Sequence, residues 1–433
     1  MRRSPADPPI HTENDAMNGS ALARQPNPLP NPFRPGNGVA PPYLAGRDRL
    51  LAAFEDWLLE EPPLHPNWAL TGLRGTGKTV LLGEFATRSE RAGWLTLQRE
   101  LGDRHRDDVR LAEAIAEDCK ALIGRANALA AVGQAVERGA RWLRPKRIRV
   151  GQVSIDPSYT DDAPAAADVM GNALGQLDSV LSHTERPGAI LLYDEAHLLA
   201  DDRGRERFPL STLLATLGAV QREHQRVRII LCGLPTLSLN LKRARTYAER
   251  MFRHVSVGNL ELDAAEEALA IPLAGSGRSF GLSLIGEICE QTAGYPYFLQ
   301  FFGAFACSRI GLEHIELADF QRVESALLYE LDLAFFEDRF EGAPQTEQLV
   351  LEALARDTGP VTLRRLRPQL SEVASVDLLV RRLIERGLVY RTGRATYDFA
   401  LPLFRSFIRR RRQLTRLTRT VRNGRSALGG GDP

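Results

Sequence analysis

Eight consecutive residues, Gly72-Leu73-Arg74-Gly75-Thr76-Gly77-Lys78-Thr79, hold the densest chemistry in the chain. They fit the spacing G-x-x-x-x-G-K-[ST] in full. Glycines at these positions permit a tight turn whose backbone N–H groups converge on phosphate oxygens. A helix starting there adds the positive end of its dipole. Lys78 is then placed to reach the β- and γ-phosphates, and the Thr79 hydroxyl to ligate Mg²⁺. The implied ligand is a nucleoside triphosphate, ATP with Mg²⁺. Gly72, Gly75, Thr76, Gly77, Lys78, Thr79 and Val80 are the candidate contacts.

A second piece follows more than a hundred residues later: Ala189-Ile190-Leu191-Leu192-Tyr193-Asp194-Glu195. Five apolar residues read as a buried strand that delivers two acids to the edge of a sheet. Beside the Gly-rich turn, Asp194 would hold Mg²⁺, usually through water, and Glu195 would polarise an attacking water. An acid pair suits a hydrolytic site, so slow ATP hydrolysis is expected. Asp194-Glu195-Ala196-His197 also spells the helicase box. No Ser-Ala-Thr box, late Gln-Arg-x-Gly-Arg element or second motor-like α/β domain accompanies it, and His197 reads as a satisfied polar residue near the site. A third run, Arg228-Ile229-Ile230-Leu231-Cys232-Gly233, reads as a strand between the other two, ending near the γ-phosphate. Cys232 and the Gly233 backbone are poor candidates for sensing it.

These residues need a scaffold, and the apolar pattern supplies one. Helical spacing runs through Leu50, Leu51, Phe54, Trp57 and Leu58. Short runs at Trp68–Leu70, Trp94–Leu97, Ala189–Tyr193 and Val227–Cys232 alternate with helical stretches at Val80–Ala92, Asp108–Ala126, Asp168–Leu181 and Leu210–Glu223. That alternation predicts an α/β fold with a parallel sheet flanked by helices. Within residues 133–165, the piece RWLRPKRIRVGQVSIDP alternates in parts, as a solvated hairpin or edge strand would. The chain divides into a Pro-rich disordered arm (1–40, its end from Asn31 to Pro42 along the surface) and an α/β domain (43–258). A helical lid (259–340) follows, where strands are expected to stop. Residues 343–412 run helix, helix, helix, strand, turn, strand, helix, the order of a winged-helix domain, and 413–433 form a basic disordered tail.

Together these elements resemble the P-loop ATPases of the AAA+/STAND group, especially the archaeal-type, origin-recognition-like branch. The resemblance spans about residues 43–410. It rests on Gly46-Arg47, the Gly-rich turn, the Asp194-Glu195 pair and Gly294-Tyr295-Pro296-Tyr297. It implies that Gly46 and Arg47 lie near the adenine, that Pro296 packs near the base and reports it to the lid, and that the winged helix moves with the lid. The group's usual lid arginine at the γ-phosphate has no counterpart in the stretch GYPYFLQFFG, which turns the reading toward STAND-like switches. Arg250 or Arg253 would act in trans as an arginine finger of a neighbouring subunit; a basic helix face in solvent is the alternative. Lys78, Glu195, Arg250 and Arg253 are thus the candidate catalytic residues, and Thr79 and Asp194 the candidate metal ligands.

Bulk composition narrows the setting. A formal net charge of +2 excludes a field of one sign over the whole molecule. Basic residues gather late: Arg381, Arg382 and Arg386 on the third helix of the winged unit, and Arg391 and Arg394 near the wing. Arg409–Arg412, Arg416, Arg419, Arg422 and Arg425 follow. Such an arm would bind double-stranded DNA through counterion release with little sequence information. Asp377, Glu385 and Asp398 count against that reading. The other one is a signalling or assembly ATPase whose winged helix meets a protein partner, with a nucleotide-dependent homo-oligomer as one form. Cys119, Cys232, Cys289 and Cys307 lack metal-ligand spacing and indicate a reducing compartment. With no run long enough to span a bilayer, the expectation is a cytoplasmic protein without membrane contact.

Overall fold

The computed structural model describes residues 29–36, 38–137, 165–223 and 226–413. Its centre is a five-stranded sheet: β1 (Asn67–Thr71), β2 (Leu95–Glu100), β3 (Ala189–Asp194), β4 (Val227–Gly233) and β5 (Phe252–Ser256), in the order β2-β3-β4-β1-β5. All four pairings are parallel. As the sequence pattern predicts, β4 lies between the strand entering the Gly-rich turn and the strand carrying the acids.

Alternation along the strands sorts side chains to two covered faces. Trp68, Leu70, Ile190, Leu192, Ile230 and Cys232 pack with α1 (Asp48–Leu59) and α2 (Lys78–Arg91). Ala69, Leu191, Tyr193, Ile229 and Leu231 pack on the other face, against α3 (Asp108–Glu137), α4 (Ala166–Ser182), α5 (Pro209–Val220) and α6 (Thr236–Ala244). Ligands of such sheets bind where the strands end, and here β1, β3 and β4 all end beside α2.

Two expectations need correction. β5, together with the short helix α7 (Ala248–Met251), occupies what reads in sequence as a basic segment. Four of its five residues face solvent or are half-exposed because it is an edge strand, so no apolar run marks it. Strands do not stop after residue 258: β6 (Ser279–Phe280) and β7 (His314–Ile315) pair in parallel between the lid helices. α3 continues to Glu137, and the stretch 141–157, expected as a solvated hairpin or edge strand, lies outside the described residues.

The lid holds α8 (Leu262–Ala274), α9 (Leu282–Thr292), α10 (Pro296–Arg309), α11 (Leu317–Gln321) and α12 (Glu324–Leu331). A single π-helical stretch, Asp332–Glu337, joins α12 to α13 (Asp338–Glu341). The winged helix follows: α14 (Gln345–Leu354), β8 (Val361–Thr362), α15 (Leu363–Leu366), α16 (Val376–Glu385), β9 (Val389–Gly393), β10 (Thr396–Phe399) and a helix over 404–413. Its sheet has the order β8-β10-β9.

Lid and winged helix share one apolar core. It runs from Phe298 and Phe302 through Phe336 to Phe404, Phe407 and Ile408. Phe336 stacks on Phe404 with ring centroids 5.3 Å apart. The segment expected to trail along the surface adds to this core: Phe33 is buried against Phe280, and Asn31 Nδ2 donates to the Ala304 carbonyl.

Candidate functional site

The Gly-rich turn leaves β1 at Thr71 and is pinned at once. Gly72 N–H donates to the Gly233 carbonyl at 3.1 Å. A side chain at Gly72 would meet the Val257 carbonyl at 2.2 Å, so only glycine fits. Gly75 and Gly77 take the left-handed backbone, φ 75° and 90°, that turns the chain back into α2. Thr76 closes the turn internally, its hydroxyl donating to the Leu73 carbonyl. Lys78 is buried and its ammonium donates to the same carbonyl at 2.8 Å. Burial lowers its pKa, a cost opposed by Asp194 and Glu195.

Across from it, the Thr79 hydroxyl donates to Asp194 Oδ2 at 2.7 Å. Asp194 also accepts the Glu195 backbone N–H at 2.8 Å. Glu195 itself has φ 55°, a strained value that projects its side chain off the strand end. Burial raises its pKa, against the pull of Arg74 and Lys78. The sheet therefore brings together Lys78, Thr79, Asp194 and Glu195, as their spacing predicts. Cys232 lies buried below, its thiol pushed up by burial and by the Asp194 charge.

Lys78, Thr79 and Glu195 open into a cavity of about 920 Å³, floored by the turn and roofed by the lid. Gly75, Thr76, Gly77, Val80, Arg47 and Pro296 line it. Arg47 donates to the carbonyls of Thr76 (3.2 Å) and Gly258 (2.6 Å), so it ties α1 to the turn. Gly46 takes φ 63° where a side chain would strike Ala264 of α8. Pro296 starts α10, facing the cavity.

Arg250 and Arg253 are not part of this cavity. Both are exposed, and the Arg253 guanidinium stacks 4.9 Å from the Trp68 ring centroid, near the start of β1 rather than its end.

The cavity contains residues whose contacts sequence spacing did not show. Tyr295, 1% exposed, donates its hydroxyl to the Arg74 carbonyl at 2.5 Å, latching lid to turn. Arg339 reaches in from α13, stacked 3.8 Å from the Phe335 ring centroid. Burial lowers its pKa, and no carboxylate lies within ion-pair reach among the described residues. Residues 34–36 and 38–43 border the opening. Arg34 N–H donates to Gln300 of α10, and a Cβ at Gly38 would lie 3.4 Å from Thr79 Cγ2. Only the Gly294–Tyr297 turn gave a sequence signal for any of these.

The basic C-terminal residues fare differently from the free arm expected of them. Arg409 donates to the carbonyls of Ala355 and Asp357. Arg410 pairs with Asp332, Arg411 with Glu337 and Glu341, and Arg412 with Glu352. These four fasten the last helix to the rest of the core and are spent there. Arg386 pairs with the buried Glu347. Arg381, Arg382, Arg391 and Arg394 are exposed, and Arg416 onward lies outside the described residues.

With the geometry set out, the likenesses to known proteins are modest in sequence and broad in extent. Residues 333–408 match a family model described as "Domain of unknown function (DUF8462)". No curated protein matches the chain by sequence. The Walker-type ATPase PABY2304 of Pyrococcus abyssi is similar in structure at 19% identity, over 84% of this chain and 96% of that one, with a TM-score of 0.54. The ORC2 protein of Aeropyrum pernix, solved as ADPNP–ADP complexes, is similar at 16% identity, over 88% of this chain and 98% of that one, with a TM-score of 0.50. The fold is the one these two proteins share, a parallel sheet flanked by helices with the Gly-rich turn after β1. No helix among the described residues is long and apolar enough to cross a membrane.

Proposed function

We propose that the chain is an ATP-binding, slowly hydrolysing switch ATPase that uses Mg²⁺. One observation carries this reading: the Thr79 hydroxyl and the Asp194 carboxylate touch at 2.7 Å beside Lys78, at the start of α2. The turn offers N–H groups and a cation to a polyphosphate. Thr79 and Asp194 are hard oxygen donors, and no cluster of three or more His, Cys, Asp or Glu suited to a metal occurs among the described residues. That set suits Mg²⁺, which takes one or two protein oxygens plus phosphates and water. When bound there, it would neutralise charge on the phosphate oxygens.

In hydrolysis, Glu195 accepts a hydrogen bond from the attacking water. The water oxygen bonds to the terminal phosphorus, and the bond to the bridging oxygen breaks with its electron pair left on ADP. The water's proton ends on inorganic phosphate or solvent. Apolar lining from Leu44, Ala45, Leu260 and Pro296 suits a base, which supports a nucleotide over a simple polyphosphate.

Calorimetric nucleotide binding and phosphate release test the reading. Lys78→Ala is expected to lose ATP and ADP binding; wild-type affinity in that variant overturns the proposal. Glu195→Gln is expected to bind normally and turn over at least 100-fold more slowly. Equal turnover would move the water-activating role elsewhere.

The exposed Arg381, Arg382 and Arg394 support a second element of the reading, duplex DNA as a partner of the winged helix. Asp377 is already paired with Arg367. Binding that weakens steeply with salt and is reduced in an Arg381→Ala/Arg382→Ala variant supports DNA; no binding at low salt leaves a protein partner. Arg250 and Arg253, exposed and away from their own chain's turn, suit a finger acting across a nucleotide-dependent homo-oligomer. Mass in solution with ADP and with a non-hydrolysable ATP analogue tests that.

A further inference from the structure

β4 ends at Gly233, between the strand that enters the turn and the strand that carries the acids. Gly233 supplies no side chain to the space at this strand end. That space is filled by His197. A Cβ built on Gly233 would lie 2.9 Å from His197 N and 3.2 Å from its Nδ1. The imidazole comes from the 3-10 turn Ala196–Leu199 that follows the acid pair.

His197 is held there from two sides. Its carbonyl accepts from Asn240 of α6 at 3.2 Å, and Leu198 N–H closes on the Glu195 carbonyl at 3.0 Å. The side chain is 9% exposed and lines the cavity with Lys78, Thr79 and Glu195. Its Nδ1 is buried without a hydrogen-bond partner among the described residues, 3.4 Å from Glu195 Oε2. Buried nitrogens seldom stay unpaired, and those that do call for a reason. Burial, with Arg74, Lys78 and Arg106 nearby, holds the ring neutral at physiological pH, lowering its pKa to about 4. A neutral ring has one N–H to give.

We propose that His197 is a positioning residue: its Nδ1–H takes up the 3.4 Å gap and fixes the Glu195 carboxylate toward the attacking water. It thereby occupies the place of the side chain that Gly233 lacks. Hydrogen bonds of this kind are long in empty sites and tighten around the reacting ligand. The inference rests on the hydrolytic reading above.

The test has three arms. In nucleotide-free protein, ¹⁵N NMR of the imidazole, assigned by comparison with His197→Ala, is expected to show the Nδ1–H tautomer. The Nε2–H tautomer would overturn the proposal, because its Nδ1 lone pair would face a carboxylate. In binding, His197→Ala is expected to keep its ADP affinity within about twofold while losing most of the preference for MgADP–aluminium fluoride over ADP. In single turnover, His197→Ala is expected to slow hydrolysis on the order of 100-fold, the penalty of a misplaced reacting group. His197→Asn, which keeps a donor near the same place, is expected to recover part of that loss. Adding His197→Ala to Glu195→Gln is expected to cost nothing further, and additive losses would sink the idea. If wild-type protein binds nucleotide but never hydrolyses it, the hydrolytic reading fails alone. The tautomer then still decides whether His197 addresses Glu195.

Discussion

Tyr295→Phe removes a single hydroxyl and leaves the ring. That hydroxyl donates to the Arg74 carbonyl at 2.5 Å from a side chain 1% exposed. The ring's packing on Phe298, centroids 4.6 Å apart, is retained. A buried neutral hydrogen bond is worth about 0.5–1.5 kcal/mol net. At about 1.4 kcal/mol per tenfold, the closed arrangement of lid on turn weakens by about 2- to 12-fold. The bond joins lid to turn, so the loss falls on the closed state and not on either body. Bound nucleotide is therefore expected to leave 2- to 12-fold faster, roughly, by the same conversion. The assay is stopped-flow release of a fluorescent ADP analogue chased with excess ADP. Global stability is expected to shift little. An unchanged release rate would mean the hydroxyl does not hold the lid, and the latch would have to be withdrawn. Gly75→Ala offers a cross-check, since its methyl would lie 2.0 Å from Tyr295 Oη at φ 75°. It is expected to release nucleotide at least as fast as Tyr295→Phe.

Three further outcomes follow from the same geometry. Arg339→Met is expected to weaken ATP binding about tenfold and ADP binding less, because a desolvated cation facing the cavity favours the more highly charged ligand; calorimetry with both nucleotides decides, and equal losses would point to packing alone. His197 has a folded pKa of about 4 against an ordinary 6.5. Between those values the unfolded chain binds more protons, so stability is present above pH 6.5 and falls as pH drops toward 4, by about 3 kcal/mol in all. His197→Ala is expected to show a shallower loss of urea stability between pH 7 and 4, and parallel curves would show that the ring is not held neutral. Phe33→Ala should cost about 3–5 kcal/mol if the segment stays docked, or release residues 29–43 to protease if it does not; unchanged melting and unchanged cleavage would refute its role in the core.

The site was legible where chemistry sits in one short stretch. Gly72–Thr79 and Ala189–Glu195 each place their functional groups within a single turn and strand end, so residue types and spacing suffice. Legibility failed where a partner lies far along the chain. Tyr295 and Arg74 are 221 residues apart, and neither carries a mark of the other. Arg339 depends on the π-helical stretch at Asp332–Glu337, which sets where Phe335 and the guanidinium face. The charge of Arg409–Arg412 was plain in sequence, but its acids at Asp332, Glu337, Glu341 and Glu352 were not, so an internal clasp reads as a free arm. β5 stayed hidden because the edge position leaves most of Phe252–Ser256 exposed, and exposed residues need no apolar pattern.

Coupling between the cavity and the winged helix follows from packing rather than from any one contact. Tyr295 and Pro296, at the start of α10, face the cavity. The same helix buries Phe298 and Phe302, and Phe298 meets Phe336 edge to face with centroids 5.8 Å apart. Phe336 stacks on Phe404 and lies 5.5 Å from Phe407, inside the last helix of the winged unit. Close-packed rings transmit displacement because there is little free volume to absorb it. Arg410 and Arg411 clamp the same joint from outside. α10 therefore cannot shift over the Gly-rich turn without moving the last helix of the winged unit, unless this aromatic column separates. Separation would expose several phenylalanines, each costing about 1.5–3 kcal/mol. A tilt of lid and winged helix as one body keeps the column packed and is the cheaper motion.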